Sequence, residues 1–151
     1  MFKNIVFHWS AGNYYPCEYD KLHYHFLFDK EGKEYKGKFS PEDNLNCKDN
    51  KYAAHVRNGN TGRIGLAVCC KKDDNYPPTQ EQIEAMCKKA AQLCTFYGIN
   101  PSMCITHAEF DPARKIDITE IPYKNLYGIQ KCGDYLRELT IKYYNKENEV
   151  K

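Results

Sequence analysis

The residues best suited to joint chemistry are two histidines and an aspartate that lie far apart in the sequence. His8 closes an apolar run near the start of the chain, and His107 closes a second run, "SMCITH". Asp117 follows ten residues later, within the charged stretch "THAEFDPARKID". Two imidazoles and one carboxylate are a common ligand set for catalytic zinc, which lowers the pKa of water and polarises a carbonyl. These residue types are therefore consistent with a zinc hydrolase.

The same residues also permit a plainer interpretation. The sequence contains no H-E-x-x-H motif, and the two histidines are 99 residues apart. A single histidine at the end of a strand is more often a hydrogen-bonded structural residue than a ligand. Glu109 and Asp111 also compete with Asp117 for any role at a metal. Spacing alone therefore leaves the zinc site open.

The apolar pattern predicts the elements that must position these side chains. Short β-branched runs predict buried strands, and a following hairpin partner is predicted where a turn interrupts the chain. A capping box of Thr79 and Gln82 opens an amphipathic helix that ends at Gly98. The predicted strands are Asn4–Ser10, Leu22–Asp29, its partner 33–39, Arg63–Cys70 and 102–107; a second helix is predicted at 133–146. This alternation predicts an α/β fold, with a central mixed sheet flanked by helices in one domain, 1–151.

Composition excludes several classes of protein. The net charge of +2 and the isoelectric point of about 8.0 are too mild to indicate a nucleic-acid partner. No run of eighteen apolar residues predicts a membrane segment. The first residues lack the long apolar core of a signal peptide, so we expect synthesis in the cytoplasm. None of the eight cysteines forms a C-x-x-C pair, and we expect most of them to be reduced, small core residues in a monomeric protein.

Four segments in order carry a resemblance to a known family: "IVFHWSAG", "HYHFLFDKEGKEYKGK", "AAHVRNGNTGRIGLAV" and "THAEFDPARKID". The chain resembles the zinc-dependent N-acetylmuramoyl-L-alanine amidases of type 2, which include phage lysozymes of the amidase kind and peptidoglycan recognition proteins. The similarity runs from about Asn4 to Asp117. It implies a central mixed sheet with helices on its faces and zinc in a surface groove.

The resemblance also assigns roles to individual residues. It implies that His8, His107 and Asp117 hold Zn²⁺, as family members use aspartate or cysteine at the last position. Lys115 matches the lysine that stabilises the developing oxyanion. Tyr24 matches the tyrosine that positions or deprotonates the attacking water.

The groove wall and two departures from the family complete the prediction. His55 and Asn60 resemble the groove-wall segment, where they either contact substrate or stabilise the loop. Ala67 fills the slot in which some members place a glutamate, so that carboxylate base is absent. The segment between His8 and Tyr24 is shorter than in many members, which opens or reshapes the groove.

Alternation along the predicted second strand gives its histidines different roles. We expect Tyr24 and Phe26 to share the face that borders the groove. His25 is then a structural residue on the other face, and His23 is exposed.

The resemblance implies hydrolysis of the amide between N-acetylmuramic acid and L-alanine in peptidoglycan. We expect a phage or prophage endolysin that acts at the cell wall after release from the cytoplasm. A cytoplasmic amidase that recycles soluble muropeptides is the alternative enzyme. A peptidoglycan-binding recognition module without activity, or an interaction protein, represents a different class. Members that bind without cutting typically lack a zinc ligand, whereas this sequence keeps all three.

Overall fold

The computed structural model describes residues 1–72 and 75–149, so residues 73, 74, 150 and 151 of the predicted domain lie outside the described part. Seven strands and four α-helices lie in these ranges, joined by short 3₁₀ turns. The strands are β1 (Asn4–Trp9), β2 (Phe26–Phe28), β3 (Glu34–Lys36), β4 (Arg63–Val68), β5 (Cys104–Thr106), β6 (Glu120–Ile121) and β7 (Leu126–Tyr127). The helices are α1 (Glu18–His23), α2 (Gln80–Tyr97), α3 (His107–Phe110) and α4 (Ile129–Glu147).

Five of the strands form one mixed sheet, in the order β3-β2-β4-β1-β5. Neighbours are parallel except for β3, which pairs antiparallel with β2 at the edge. Every residue of β1 is buried, as expected for a central strand that is covered on both faces. The predicted fold class, a central mixed sheet flanked by helices, is confirmed.

The two faces of the sheet have different partners. Ile5, Phe7 and Trp9 of β1 point to one face, where they share a core with residues of both long helices, such as Met86 and Leu136. Because successive side chains of a strand alternate, His8 points to the opposite face. Both long helices therefore cover the apolar face and leave the face that carries His8 to shorter segments.

The capping signals of α2 are confirmed. The hydroxyl of Thr79 accepts a hydrogen bond from the Gln82 backbone N–H at 3.2 Å, and the Gln82 side chain accepts one from the Thr79 N–H at 2.9 Å. At the other end, Gly98 adopts a left-handed conformation with φ of 68°. A residue without a Cβ tolerates this conformation, which ends the helix.

The second long helix starts earlier than predicted. α4 begins at Ile129, four residues before the glycine at which the pattern placed its start. Gly133 lies inside the helix because the carboxylate of Glu109 occupies the space that a Cβ would need. This glycine therefore allows close packing between α3 and α4 and does not mark the start of the helix.

The predicted strand at Leu22–Asp29 is wrong in its first half. Leu22 and His23 belong to α1, and only Phe26–Phe28 pairs in the sheet. The Asp20 carboxylate accepts a hydrogen bond from the Cys17 N–H at 3.1 Å, which caps the start of the helix. The other predicted strands are present with shorter bounds, and α3 begins at His107 where strand was expected.

The predicted distribution of side chains around Tyr24 is also wrong. Tyr24 precedes the strand and packs with Leu27, whereas Phe26 points into the helix-covered core. His25 lies on the same side of the sheet as His8, with its ring 5.8 Å from that of His55. His23 is half-buried rather than exposed. Strict alternation fails here because the backbone changes from helix to strand at Tyr24.

The cysteines are free, and most of them are small core residues as predicted. Six are buried, whereas Cys17 is exposed and Cys47 is half-buried. Burial raises the pKa of the Cys87 thiol to about 12 and that of Cys132 to about 11. Among the described residues, no helix combines the length and apolar character needed to cross a bilayer.

Exposure and thiolate formation together predict which thiol reacts first. In the native protein at pH 8, a thiol reagent should label Cys17 fastest, because it is exposed, whereas burial shields six of the other thiols and raises the pKa of thiols such as Cys87. Cys17→Ser should remove this fast phase, and unfolding in guanidinium should expose all eight thiols. Labelling kinetics followed by mass spectrometry checks this order. Fast labelling of Cys87 in the folded protein would contradict it.

Candidate metal centre

The parallel pairing of β1 and β5 brings the two histidines together. Phe7 lies opposite Thr106 in this pair. The next residues along the two chains are His8, at the penultimate position of β1, and His107, at the first position of α3. Two histidines 99 residues apart in sequence thus become neighbours at the same end of the sheet.

A short capped helix holds His107 in place. The Thr106 hydroxyl accepts a hydrogen bond from the Glu109 N–H, and the Glu109 carboxylate accepts one from the Thr106 N–H at 2.9 Å. Arg137 of α4 donates to both carboxylate oxygens of Glu109, at 2.7 and 2.8 Å. Glu109 therefore stabilises α3, which favours Asp117 over Glu109 as a metal ligand.

A turn between residues 111 and 116 returns the chain to His107. The Asp111 carbonyl accepts hydrogen bonds from the N–H groups of Arg114 and Lys115, at 3.1 and 3.0 Å. The Asp117 carbonyl then accepts one from the Ala108 N–H at 2.6 Å. This backbone contact fixes the Asp117 carboxylate beside the first turn of α3.

The side chains of His8, His107 and Asp117 meet in a closed triangle. The Nδ1 atoms of His8 and His107 are 3.0 Å apart, and the Asp117 Oδ2 lies 3.2 Å from the first and 3.3 Å from the second. A tetrahedral zinc with bonds of about 2.0–2.1 Å separates its ligand atoms by roughly 3.3 Å. These distances and donor types fit a zinc ion, and no other such group of ligands occurs among the described residues.

The three side chains of the triangle are shielded from solvent, which strengthens the electrostatic interactions among them. His8 is fully buried, and His107 and Asp117 are each only 6% exposed. Burial lowers the pKa of His8, and the contact with Asp117 only partly opposes that effect. Burial by itself would raise the pKa of Asp117, but its contacts with the imidazoles of His107 and His8 outweigh burial and hold that pKa well below its usual range. The carboxylate is therefore ionised and available as a ligand.

The two predicted catalytic residues lie on different sides of the triangle. The ring of Tyr24 is 5.0 Å from that of His8 and packs against Leu27 and Ala67. Burial, followed by the negative charge of Asp117, raises the pKa of Tyr24. Lys115 lines a groove of about 270 Å³ together with His107, and the groove also contains Arg57 and Arg114.

Ala67 occupies the position at which the resemblance places a glutamate in some family members. It pairs with His8 across β1 and β4 and is fully buried on the face of the sheet that carries the triangle. A methyl group therefore borders the ligands on this strand, and no carboxylate from this position reaches them.

The two predicted groove-wall residues, His55 and Asn60, have different hydrogen-bond partners. His55 is 6% exposed and lies behind His8, with its Nδ1 2.9 Å from the His8 Nε2. The Asn60 side-chain oxygen accepts hydrogen bonds from the N–H groups of His55 and Val56, both at 2.9 Å. Of the two roles that the sequence left open for Asn60, this geometry favours loop stabilisation. Both residues border the groove, but the hydrogen bonds shown here are made within the protein.

Sequence reasoning missed several groups around the site. Arg57 and Arg114 line the groove, although Arg114 lies in the very stretch that carries two ligands. The role of Arg137 could not be seen, because nothing in the sequence pairs it with Glu109. Gly65 was detectable, since a glycine inside a strand often marks a close approach by another group. A second polar cavity of about 310 Å³ lies beside Lys3, and none of the three ligands lines it.

Comparisons with known proteins agree with this architecture. The sequence model of the N-acetylmuramoyl-L-alanine amidase family matches residues 2–120. No curated protein matches the sequence at a significant level. Three solved structures share the fold at 16–19% identity, a level that informs on fold alone.

The first is the N-acetylmuramyl-L-alanine amidase AmiD from E. coli in complex with the substrate anhydro-N-acetylmuramic acid-L-Ala-D-gamma-Glu-L-Lys. Its TM-score is 0.56 at 18% identity, over 78% of this chain and 52% of AmiD, so the chain spans about half of that protein. The Ph2119 endolysin from a Thermus scotoductus bacteriophage gives 0.57 at 16%, over 81% of each chain. The amidase LysC from Clostridium intestinale gives 0.53 at 19%, over 72% of each chain.

The contact between Arg137 and Glu109 leads to a stability prediction. Arg137→Met should lower the free energy of unfolding by about 2 kcal/mol, because it removes hydrogen bonds to a partly buried carboxylate. Arg114→Met is the matched control: its pair with Asp111 is more exposed and should be worth less than about 1 kcal/mol. Urea unfolding of both variants measures the difference. Equal losses would show that the Glu109 pair has no special role.

Proposed function

The chain belongs to the N-acetylmuramoyl-L-alanine amidase family, and from that membership we propose that it hydrolyses the amide between N-acetylmuramic acid and L-alanine in peptidoglycan, with zinc as cofactor. One observation carries the proposal: three buried ligand atoms, from His8, His107 and Asp117, lie 3.0–3.3 Å apart. Burying three such atoms with their lone pairs facing one another costs free energy of folding unless a cation lies between them. We further propose that residues 1–151 form one catalytic domain.

Zinc held by these three groups would supply Lewis acidity, which lowers the pKa of water and polarises the lactyl carbonyl of the substrate. The residues of the chain supply position and charge. Tyr24, next to His8, orients the attacking water through its phenol oxygen. Lys115, on the groove side of His107, stabilises the negative charge that develops on the carbonyl oxygen as the amide is attacked. The burial of His8 and Asp117 keeps bulk water from screening these charges.

The complete ligand set favours an enzyme over a recognition module. A protein that only binds peptidoglycan has no need to keep three buried ligands in register, together with a lysine at the groove. The observation that would reverse this preference is zinc binding without any release of stem peptide. An interaction protein remains without support, because no feature of the described residues identifies a partner surface.

Within the enzyme class, we propose action on the cell wall as a phage or prophage endolysin. The alternative is a cytoplasmic amidase that recycles soluble muropeptides. Comparing turnover on intact sacculi with turnover on a soluble anhydro-muropeptide distinguishes the two, since an endolysin should favour the polymer. Synthesis in the cytoplasm and a monomeric state stay predictions.

The zinc centre and the activity should disappear together. The purified chain should contain about one zinc per molecule and release free stem peptide from peptidoglycan. His107→Ala should lose both, because two ligands do not complete a stable site. His23→Ala, a histidine outside the triangle, should keep both. Metal analysis and chromatography of released peptide measure the outcome, and normal turnover by His107→Ala would refute the mechanism.

The role of Lys115 separates charge stabilisation from metal binding. Lys115→Met should keep one zinc per chain and lower kcat by about 100-fold or more, the usual loss when one group that stabilises an oxyanion is removed. Lys131→Met, on the exposed side of α4, should leave kcat unchanged. Steady-state kinetics on a soluble muropeptide give the values. A loss confined to KM would assign Lys115 to substrate binding instead.

A further inference from the structure

The imidazole of His8 is held from behind by a second imidazole. His8 presents Nδ1 to His107 and Asp117, whereas its Nε2 lies 2.9 Å from the Nδ1 of His55. His55 in turn places its Nε2 3.0 Å from the backbone carbonyl of Arg63. The three groups form a linear chain of hydrogen bonds that starts at β4 and ends at the ligand triangle.

This chain determines where each proton lies. A carbonyl oxygen only accepts, so the Nε2 of His55 must carry the proton that is donated to Arg63. His55 is 6% exposed, and the two hydrogen-bond partners of its ring are a carbonyl and an imidazole, so no anion compensates a positive charge on it and the neutral ring is favoured. Its Nδ1 therefore has a free lone pair, which accepts the N–H of the His8 Nε2. The Nδ1 of His8 is then left with its lone pair directed at the triangle.

The surroundings of His55 allow little freedom to its ring. A Cβ on Gly65 would lie 2.7 Å from the His55 Cγ, so the ring lies directly on the strand where a side chain is missing. Asn60 accepts hydrogen bonds from the backbone N–H of His55, which fixes the base of the side chain. The His25 ring, itself bonded to the Gly65 N–H at 3.0 Å, closes the remaining side.

We propose that His55 is a positioning residue of the metal centre, which locks His8 in the Nε2–H form so that the His8 Nδ1 is preset as a zinc ligand. The inference rests on the proposed zinc centre and differs from both roles that the sequence left open for His55, contact with substrate and stabilisation of the loop. Both ring nitrogens of His55 are already used within the protein, so neither remains for substrate. A metal-bound histidine usually donates its second N–H to a carboxylate or a carbonyl; here a neutral imidazole takes that place.

Two nearly isosteric variants test the proposal. The side-chain oxygen of Asn in His55→Asn has the same bond distance from the backbone as the His55 Nδ1 and can accept the His8 N–H. His55→Leu has a methyl group at that point and cannot. Zinc transfer to a chelator should show affinity close to wild type for His55→Asn, and 10–100-fold weaker for His55→Leu. Equal zinc affinity of the Leu and Asn variants would overturn the proposal.

A spectroscopic measurement tests the hydrogen bond itself. In the zinc-loaded, ¹⁵N-labelled full chain, His8 should carry its proton on Nε2 and show a coupling across the N–H···N bond to the His55 Nδ1. The coupling should vanish in His55→Leu. A proton on the His8 Nε2 without any coupling to His55 in the wild type would also refute the proposed contact.

Gly65→Ala offers an independent route that leaves His55 in place. The added methyl must displace the ring, so zinc affinity should fall and the coupling should weaken. Gly12→Ala is the control, because its Cβ meets only one atom at 3.8 Å. None of these measurements uses peptidoglycan, so they separate the two ideas. If the chain binds zinc with the His8–His55 hydrogen bond in place but releases no peptide, the proposed activity is refuted and the positioning role of His55 is retained.

Discussion

The site depends on one constraint: two imidazole nitrogens and a carboxylate oxygen are forced together in a place that water hardly reaches. Atoms with lone pairs that face one another at 3.0–3.3 Å repel unless a proton or a cation lies between them. The protein maintains this arrangement by rigid means. β1 and β5 align the histidines, α3 turns His107 inward, and the Ala108 N–H holds Asp117. Each support is a backbone or capped element, so the positions of the ligands follow from the fold.

The two faces of the sheet have different roles: one packs against the long helices, and the other carries the candidate metal centre. The face with Ile5 and Phe7 packs against α2 and α4 and supplies most of the buried apolar surface. The opposite face is covered by shorter segments, among them α3 and the 3₁₀ turn at Pro41–Leu45, and there polar groups border His8. Burial of a charged cluster costs free energy, and the well-packed face offsets that cost. The alternation of side chains along β1 thus places the core residues on one face of the sheet and the candidate ligand His8 on the other.

Much of the fold could be predicted from local signals, because those signals act over a few residues. The capping box at Thr79 and the left-handed Gly98 bounded α2 correctly. The ligand set came from the family resemblance, since spacing alone could not join His8 to His107. The errors arose where groups outside the local pattern determine the backbone. Asp20 caps α1, whose last residues overlap the expected strand, and Glu109 fills the space at Gly133. The place of His55 depends on three separate segments, so the groove-wall motif suggested substrate where the structure shows a contact with His8.

The burial of the cysteines affects how zinc would reach the proposed metal centre. Thiolates are softer and often stronger zinc ligands than imidazole or carboxylate, and an unfolded chain would offer eight of them. Folding places six of these sulfurs in the interior, away from solvent. The triangle, by contrast, exists only once β1, β5 and the turn to Asp117 have come together. Zinc that binds before folding would meet cysteine thiolates that compete for it and tend to hold the chain unfolded. Zinc that binds after folding would meet the assembled triangle. For the zinc centre proposed above, folding before metal binding would therefore favour the correct ligands.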